Sequence, residues 1–267
     1  MPSLRLSELH IYPIKSARGI SRPSARVHVR GLEHDRRWMV VDEQGKFLTQ
    51  RSVPRMALIR AELSPLHLSV KAEGMNELRL PLTPDSGDPL NVCVWDDSFD
   101  ALDAGQEAAS WFTKMLSRPC RLVFMPDGTE RFVNPKYAPQ KSLVSFADAF
   151  PFLLISQASL NDLNSRLAEP VPMNRFRPNL VVEGCNAYEE DAWAMVIIGG
   201  IGFRVAKPCS RCTVPTVNQE TGIRAPEPIR TLSSYRTIGG EVYFGQNLIH
   251  NAQGVLTVGD EVHVTRT

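Results

Sequence analysis

Two cysteines three positions apart, Cys209 and Cys212, are the residues of this sequence best suited to chemistry, and they lie in the run KPCSRCT, residues 207–213. A cysteine thiolate is both a nucleophile and a ligand for soft metal ions. Lys207 and Arg211 stand beside the two sulfurs, and neighbouring cations favour the thiolate over the thiol. The run therefore predicts that at least one of these sulfurs acts as a nucleophile or as a metal ligand.

The C-x-x-C spacing alone leaves other interpretations open. A structural zinc site needs about four ligands, but the sequence offers neither a second C-x-x-C nor a closely spaced histidine pair. A thioredoxin-like dithiol needs a helix that begins at the motif, whereas Cys212 opens the β-branched run CTVPTVN with Pro215 inside it. Two half-buried structural cysteines are the third alternative, because a free cysteine packs like a small hydrophobic residue.

Basic side chains elsewhere in the sequence could bind an anion. The run YPIKS ends a β-like segment with Lys15 and Ser16, two donors suited to phosphate oxygens. Arg36, in HDRRW, and Arg177, in NRFRPN, carry the planar fork of donors that binds a phosphate or the edge of a pterin. Taken singly, each of these side chains could equally be a solvated charge in a turn.

Asp148 is the acidic candidate. It lies in FADAFPF, just before an apolar run, where it is either a carboxylate near a metal or the cap of a turn. The sequence contains no G-x-x-x-x-G-K-[ST], G-x-G-x-x-G or G-x-S-x-G. Nucleotide binding through those loops and Ser-His-Asp hydrolysis are therefore unsupported.

The composition is that of an ordinary globular protein of 267 residues with one large or two smaller domains. Lysine and arginine total 30 against 29 acidic residues, so the net charge of +1 gives no general attraction to nucleic acid or to an anionic membrane. The first residues have no signal-peptide pattern, and no run reaches the roughly 18 apolar residues of a membrane span. Five scattered cysteines fit a reducing compartment, so we expect a cytoplasmic protein without membrane or nucleic-acid partners.

The elements that must position these residues are mostly strands. Short β-rich runs separated by turns extend from Leu4 to Leu102 and resume after residue 179, as in NLVVEG, WAMVIIGGIGFRVA, CTVPTV and GVLTVGDEVHV. Helical spacing predicts only two helices, over 105–118 and 157–167, the second with Ser156 as its N-cap. We predict a mainly β protein with minor helices (α+β), divided into domains at 1–120 and 121–267.

In their order along the chain, these motifs resemble one family. The Ser-Arg-Cys of KPCSRCTVPTVNQETG, the Tyr-Arg of LSSYR and the FGQN before GVLTVGDEV are similar to the MOSC domain. Upstream, YPIKS, GLEHDRRWMVVDEQGKFLTQR and NRFRPN resemble the β-barrel domain that precedes MOSC in bacterial YcbX-type proteins and in the mitochondrial amidoxime reducing component. The resemblance covers nearly the whole chain and implies an N-terminal β-barrel-like domain followed by a MOSC β-barrel domain.

The resemblance implies a molybdenum-molybdopterin cofactor (Moco). In the family, the second cysteine of Cys-Ser-Arg-Cys is the protein ligand to molybdenum, which implies that Cys212 binds the metal. The resemblance implies that Cys212 and Asp148, which matches an aspartate close to the metal, are the catalytic residues. It assigns to the pterin and its phosphate a set of polar donors: Lys15, Ser16, Arg36, Arg177, Asn179, Ser210 and Arg211. A soft thiolate suits such a metal centre, and a phosphorylated pterin needs cationic donors.

Members of the family reduce N-hydroxylated compounds such as amidoximes and hydroxylamines, so the resemblance implies a molybdenum-dependent oxidoreductase with a small N-oxygenated substrate. The chain ends at Thr267 without the ferredoxin domain of some bacterial relatives and without the clustered cysteines of an iron-sulfur site. We therefore expect electrons from a separate ferredoxin- or flavoprotein-like partner. Two alternatives stay open: a non-enzymatic carrier or sulfur-transfer protein for Moco, and a cysteine-based redox or sulfur-transfer protein without a metal.

Overall fold

The computed structural model describes residues 3–138 and 140–266, and strands make up most of its regular structure. The strands are β1 (Arg5–Ile11), β2 (Ile20–Ser21), β3 (Ser24–His28), β4 (Gly31–Leu32), β5 (Trp38–Val41), β6 (Arg60–Leu63), β7 (His67–Lys71), β8 (Leu78–Pro81), β9 (Pro89–Val94), β10 (Asp97–Asp103), β11 (Arg121–Phe124), β12 (Phe152–Ser156), β13 (Leu180–Glu183), β14 (Trp193–Ile198), β15 (Ile201–Ser210), β16 (Thr237–Ile238), β17 (Glu241–His250), β18 (Gly254–Thr257) and β19 (Val262–Arg266).

The helices are few, as the sequence predicts. They are α1 (Gly105–Leu116), α2 (Gln157–Ser165) and α3 (Ile229–Ser233). The first helix ends earlier than predicted because Ser117 adopts a left-handed backbone conformation. The second begins at the predicted cap, where the hydroxyl of Ser156 accepts a hydrogen bond from the backbone N–H of Ser159 at 3.0 Å.

The largest sheet of the described residues contains strands from both ends of the chain. Its order is β19-β14-β15-β17-β12-β13-β1-β2, with β16 paired to β17. The first strand of the chain thus pairs antiparallel with β13, where Leu9 lies opposite Leu180. Its apolar face packs with those of β13, β14 and β15 in a core that includes Leu6, Trp193 and Phe203. The run that follows β1 is therefore anchored to this sheet.

A second core lies under the smaller sheets of the N-terminal part. The strands β5, β11, β10 and β9 form one sheet, and β6, β7 and β8 form another. Helix α1 packs Phe112 and Met115 into this core beside Trp38 and Phe124. Apolar residues at helical spacing in α1 and alternating apolar residues in the strands supply the buried faces.

The fold class is confirmed: the protein is mainly β with minor helices. One predicted β-run is wrong. CTVPTV contains a short 3-10 turn, Val214–Thr216, and no strand, because Pro215 has no N–H to donate to a neighbouring strand. Within residues 3–138 and 140–266, no helix combines the length and the apolar character that crossing a bilayer requires.

Candidate functional site

The predicted site residues come together around one cavity of about 150 Å³. They are delivered by loops that lie far apart in the sequence: the run after β1, the turn before β5, the segments before β12 and β13, and the end of β15. Every candidate lines the cavity, namely Lys15, Ser16, Arg36, Asp148, Arg177, Asn179, Ser210, Arg211 and Cys212. Their proximity is a finding, whereas their roles toward a cofactor stay predictions.

Five cationic side chains line this cavity, and Asp148 is the one acidic side chain among its lining residues. We call the cavity and these cations, Lys15, Arg36, Arg51, Arg177 and Arg211, the cationic cleft. The whole protein carries a net charge of only +1. The cleft is therefore a local concentration of positive charge suited to an anion.

Arg36 and Arg177 both lie against one aromatic ring. Each guanidinium carbon lies 4.3 Å from the centroid of Tyr12, and the Tyr12 hydroxyl donates to the carbonyl of Pro178 at 2.9 Å. Burial raises the pKa of Tyr12 to about 12 and lowers the pKa of Arg177 to about 10. The ring therefore stays neutral and provides a π-face for both cations.

Asn179 and Asp35 position Arg36. The guanidinium of Arg36 donates to the carboxylate of Asp35 and, at 3.0 Å, to the Oδ1 atom of Asn179. Asn179 is only 2% exposed, and its Nδ2 atom donates to the carbonyl of His10 at 3.2 Å. The Asn179 side chain, which the family resemblance assigns to the pterin, thus forms its hydrogen bonds within the protein and orients Arg36.

Lys15 and Asp148 form an ion pair at the wall of the cleft. The Nζ atom of Lys15 lies 2.5 Å from Oδ1 of Asp148 and donates to the carbonyl of Phe146 at 2.7 Å. Burial lowers the pKa of Lys15 to about 8, although Asp148 opposes this shift. Burial alone would raise the pKa of Asp148, but Lys15 and Arg51 together hold it well below its usual range. Asp148 is therefore a carboxylate at neutral pH.

A buried arginine outside the cleft holds the segment that carries Asp148. Arg131 is 4% exposed and donates to three backbone carbonyls, those of Ser145 (2.7 Å), Ala147 (2.6 Å) and Asp148 (3.0 Å). It also pairs with Asp97 at 2.8 Å. This segment lacks regular structure, so these bonds replace the ladder that would otherwise fix its backbone.

The two cysteines of the C-x-x-C run differ in exposure and in contacts. Cys212 is exposed, and its sulfur lies 3.5 Å from Nη1 of Arg51. Cys209 is partly buried, and its sulfur accepts from Nη1 of Arg211 at 3.1 Å. Each sulfur thus has its own arginine, and the Cys212 thiol is the more accessible.

Irregular pairing of β15 accompanies this arrangement. The register of β15 against β17 shifts twice, between Val205 and Lys207 and again between Pro208 and Ser210. Bulges bend a strand and change the direction of its side chains, and they are frequent beside functional sites. Lys207 consequently does not line the cationic cleft; its Nζ atom lies over the ring of Tyr137, 5.1 Å from the centroid.

Arg51 is a cleft residue that sequence reasoning missed. Its guanidinium contacts Asp148 at 3.3 Å and Cys212 at 3.5 Å, residues 97 and 161 positions away. Arg224 donates to the carbonyls of Gln50 and Arg51 at 3.1 and 2.7 Å and so fixes the turn that bears it. The sequence did contain a signal, because Arg51 is the last residue of the quoted run GLEHDRRWMVVDEQGKFLTQR, but nothing in that run singles it out as a site residue.

Three of the candidates have an unusual backbone. Ser16, Arg36 and Arg177 adopt positive φ angles of 65°, 49° and 59°. Left-handed conformations cost non-glycine residues on the order of 1–2 kcal/mol each and are concentrated at functional sites. Their convergence on one cavity marks it as a site whose geometry is maintained against local strain.

Two nitrogens at the cleft are buried donors without an acceptor in the described residues: Nη2 of Arg51 and Nε of Arg211. A buried donor without a partner is costly, so such atoms indicate a missing ligand. An anion with several acceptor oxygens would satisfy them. The cleft therefore fits the phosphate of a pterin cofactor, and the exposed Cys212 thiol fits the soft metal that such a cofactor carries.

The fold and this cleft define a mainly β protein with a cation-lined cavity beside an exposed thiol. A family model described as "MOSC N-terminal beta barrel domain" matches residues 3–119, and one described as "MOSC domain" matches residues 141–263. The chain belongs to the family of proteins in which a MOSC N-terminal β-barrel domain is followed by a MOSC domain.

Curated relatives cover nearly the same length. The chain is 37% identical to mitochondrial amidoxime-reducing component 1 of Mus musculus and 34% identical to that of Homo sapiens, in both cases over 97% of this chain and 82% of the relative. Among solved structures, the YUAD protein from Bacillus subtilis covers 99% of this chain and 97% of its own, with 11% identity and a TM-score of 0.45. That likeness is too distant to support an argument.

Proposed function

We propose that this protein binds Moco through the thiolate of Cys212 and reduces N-hydroxylated compounds with electrons from a separate protein. The observation that carries the proposal is the exposed Cys212 thiol beside a cleft with five cations and one carboxylate. A molybdenum pterin combines the two chemistries that this cleft accommodates, a soft metal and a phosphate. The names of the relatives, amidoxime-reducing components, support the substrate class.

Residues from both ends of the chain would hold the cofactor. Arg177 and Arg36, fixed on Tyr12, and Lys15 with Ser16 would supply donors. Arg211 and Ser210 would supply more; Arg211 donates to the carbonyl of Phe176 at 2.8 Å, and its buried Nε atom has no acceptor among the described residues. When bound, the cofactor supplies two-electron redox chemistry at its metal.

Asp148 contributes through its charge in this proposal. Reduction of an N-hydroxyl group consumes two electrons and two protons and releases water. Because Asp148 is ionised at neutral pH, it is a poor proton donor there. It instead orients Lys15 and Arg51, which contact its two oxygens at 2.5 and 3.3 Å. Its side chain is about half exposed, so it is also accessible to a substrate.

Metal analysis tests the cofactor part of the proposal. Protein made in a host that synthesises Moco should contain close to one molybdenum per chain, and Cys212→Ser should lose it. Cys209→Ser is the matched control and should keep the metal, because Cys209 contacts Arg211 instead of facing solvent. Molybdenum that is absent from the wild type, or unchanged in Cys212→Ser, would contradict metal binding through this residue.

Turnover tests the reductase part. The loaded protein should reduce benzamidoxime to benzamidine with an artificial electron donor. Full occupancy without turnover would instead favour the carrier or sulfur-transfer alternative. A function that is lost equally in Cys209→Ser and Cys212→Ser, in protein without molybdenum, would favour cysteine chemistry without a metal.

The partner and the compartment belong to the same proposal. We expect a ferredoxin- or flavoprotein-like donor. Titration of the oxidised protein with candidate donors would identify the partner as the one that reduces the protein, seen as a change in its visible spectrum. All five cysteines are free, which supports a reducing compartment. The cytoplasmic location stays a prediction, because the relatives are named mitochondrial.

A further inference from the structure

Trp95 is a large apolar residue that the fold presents to solvent. It lies at the tip of the hairpin between β9 and β10 and is 54% exposed. Its backbone is left-handed, with φ of 56°, a conformation that disfavours a bulky residue. Exposure and backbone strain both count against a tryptophan here, so packing does not account for its presence.

Two side chains nevertheless hold the indole in one place. The Phe47 ring lies against it edge-on, with centroids 5.2 Å apart. The guanidinium of Arg51 lies over the indole, 4.7 Å from the centroid, and the same guanidinium reaches the sulfur of Cys212 at 3.5 Å. The Arg51 side chain therefore contacts both the exposed indole of Trp95 and the exposed thiol of Cys212.

The indole also lines a cavity that opens beside that thiol. This cavity, of about 530 Å³, adjoins the cationic cleft and shares Cys212 with it. Its other walls include Trp95, Asp148, Phe150 and Asn247. It is large enough for a small organic molecule, and it combines two aromatic rings, those of Trp95 and Phe150, with charged and polar side chains such as Arg51, Lys207 and Glu241.

We propose that Trp95 is a specificity-determining residue: its indole stacks on the planar aromatic part of an N-oxygenated substrate whose N–O group faces the Cys212 side of this cavity. The inference rests on the proposed function for its substrate class. Arg51 makes the indole a fixed platform, because a cation over the ring limits its rotation. A planar amidinium or amidoxime attached to an aryl ring offers the extended π-surface that stacking requires. The protein should then prefer aryl over small alkyl N-oxygenated substrates.

Intrinsic fluorescence tests this stacking without turnover. The chain has four tryptophans, and the other three, Trp38, Trp111 and Trp193, are at most 8% exposed. Neutral acrylamide should therefore quench mainly Trp95. In loaded protein without an electron donor, benzamidoxime should lower the quenching constant by at least about twofold, as expected when stacking covers the ring. Acetamidoxime, which has no aryl ring, should leave the constant unchanged.

Kinetics provide the second measurement. In Trp95→Ala, the ratio of kcat/KM for benzamidoxime to that for acetamidoxime should fall about 3- to 10-fold, mainly through KM, as expected for lost stacking. Trp95→Phe keeps a smaller ring, so its ratio should lie between those of the wild type and Trp95→Ala. Leu66→Ala is the matched control, since Leu66 is 72% exposed and lines none of these cavities; it should keep the ratio.

The outcomes separate this inference from the proposed function. Turnover of benzamidoxime with no protection of Trp95, or with an unchanged substrate ratio in Trp95→Ala, overturns the role of Trp95 and leaves the reductase intact. Protection of Trp95 without turnover supports the aryl site and rejects the reductase. If benzamidoxime neither protects Trp95 nor is turned over, both the aryl site and the reductase are rejected. Protection together with a lower ratio in the variant supports both.

Discussion

Two clusters of arginine and tyrosine lie in this protein, and they differ in charge balance. In the cationic cleft, Arg36 and Arg177 both lie against the Tyr12 ring. Arg36 pairs with the carboxylate of Asp35, whereas Arg177 forms no ion pair in the described residues and donates to the carbonyl of Ala17 at 2.6 Å. One of the two buried cations is thus left without a counter-charge.

The second cluster, which we call the tyrosine pair, contains Tyr188 and Tyr235 with their hydroxyl oxygens 2.7 Å apart. A guanidinium carbon lies 4.3 Å from the centroid of each ring. Here both arginines have a carboxylate: Arg166 pairs with Asp162 at 2.9 Å, and Arg236 pairs with Asp191 at 2.5 Å. Positive and negative charges are equal in number.

The comparison teaches how to distinguish a structural polar cluster from a binding site. The same residue types and the same stacking distance occur in both, so neither feature identifies function. Their charge balance differs, and we infer that the cluster with the surplus cation is the one that takes an anion, because a ligand of opposite charge would compensate that cation. An arginine that donates only to carbonyls is not enough by itself, since Arg30 and Arg175 are buried in this way outside the cleft. The orphaned donors at Arg51 and Arg211 lie in the unbalanced cluster.

The largest effect on stability should come from replacing Arg36, the arginine of the cleft that pairs with a carboxylate. Arg36→Met leaves Asp35, which is 3% exposed, with the backbone N–H of Tyr12 at 2.7 Å and the side chain of Asn179 as its remaining donors. Leaving one partner of a buried ion pair uncompensated lowers the free energy of unfolding by about 3 kcal/mol. Urea unfolding of ligand-free protein measures it. A loss below about 1 kcal/mol would mean that Asp35 is not charged in the folded protein.

A smaller loss should follow removal of an ion-paired arginine in the tyrosine pair. Arg236→Met removes the contact with Asp191 and the stacking on Tyr188. We expect about 1–2 kcal/mol less stability in urea unfolding, because the pair is only partly buried. Molybdenum content should not change. A variant that lost the metal while remaining folded would refute the assignment of this cluster as structural.

Replacement of Arg177, which has no ion pair among the described residues, should affect cofactor content more than stability. Arg177→Met should change the free energy of unfolding of ligand-free protein by less than about 1 kcal/mol, because the lost hydrogen bond is offset by the absence of a buried charge. Pterin content of protein purified from a Moco-producing host should nevertheless fall. If Arg177→Met keeps its pterin, the argument from charge balance is wrong; Arg236→Met is the control.

The last prediction concerns the pH dependence of stability. The pKa of Lys15, about 8 in the folded protein, lies below its ordinary value of 10.5. Between these values the unfolded chain binds more protons, so stability should rise with pH from about 8 to about 10.5. Lys15→Met should lack this rise relative to the wild type, and Lys114→Met, at an exposed site of α1, should keep it. Equal slopes in all three proteins would show that Lys15 is not desolvated.

The sequence predicts well what neighbouring residues decide. The cap of α2 at Ser156 depends on a contact three positions away and is confirmed. CTVPTV fails although it is local, because its β-branched residues favour a strand while Pro215 prevents the pairing. The β-propensity of the threonines and valines favours a strand there, but the missing N–H of Pro215 prevents strand pairing.

The site was predictable only where a motif marks it. Cys212 and Arg177 belong to recognisable runs, and the cavity includes both. Arg51 and Tyr12 gain their importance from contacts with residues more than 150 positions away, such as Cys212 and Pro178. No pattern of spacing encodes such contacts, because they exist only after the two parts of the chain have packed together.

The pairing of β1 with β13 has a consequence for the order of events during synthesis. Leu9 finds its partner, Leu180, only after about 170 further residues have been made, which takes roughly 10–30 s at usual elongation rates. Until then, β1 has only its short pairing with β2. The nascent N-terminal part therefore gains its full sheet only after β13 has been made, and the cleft is complete only when Arg211 and Cys212 have followed.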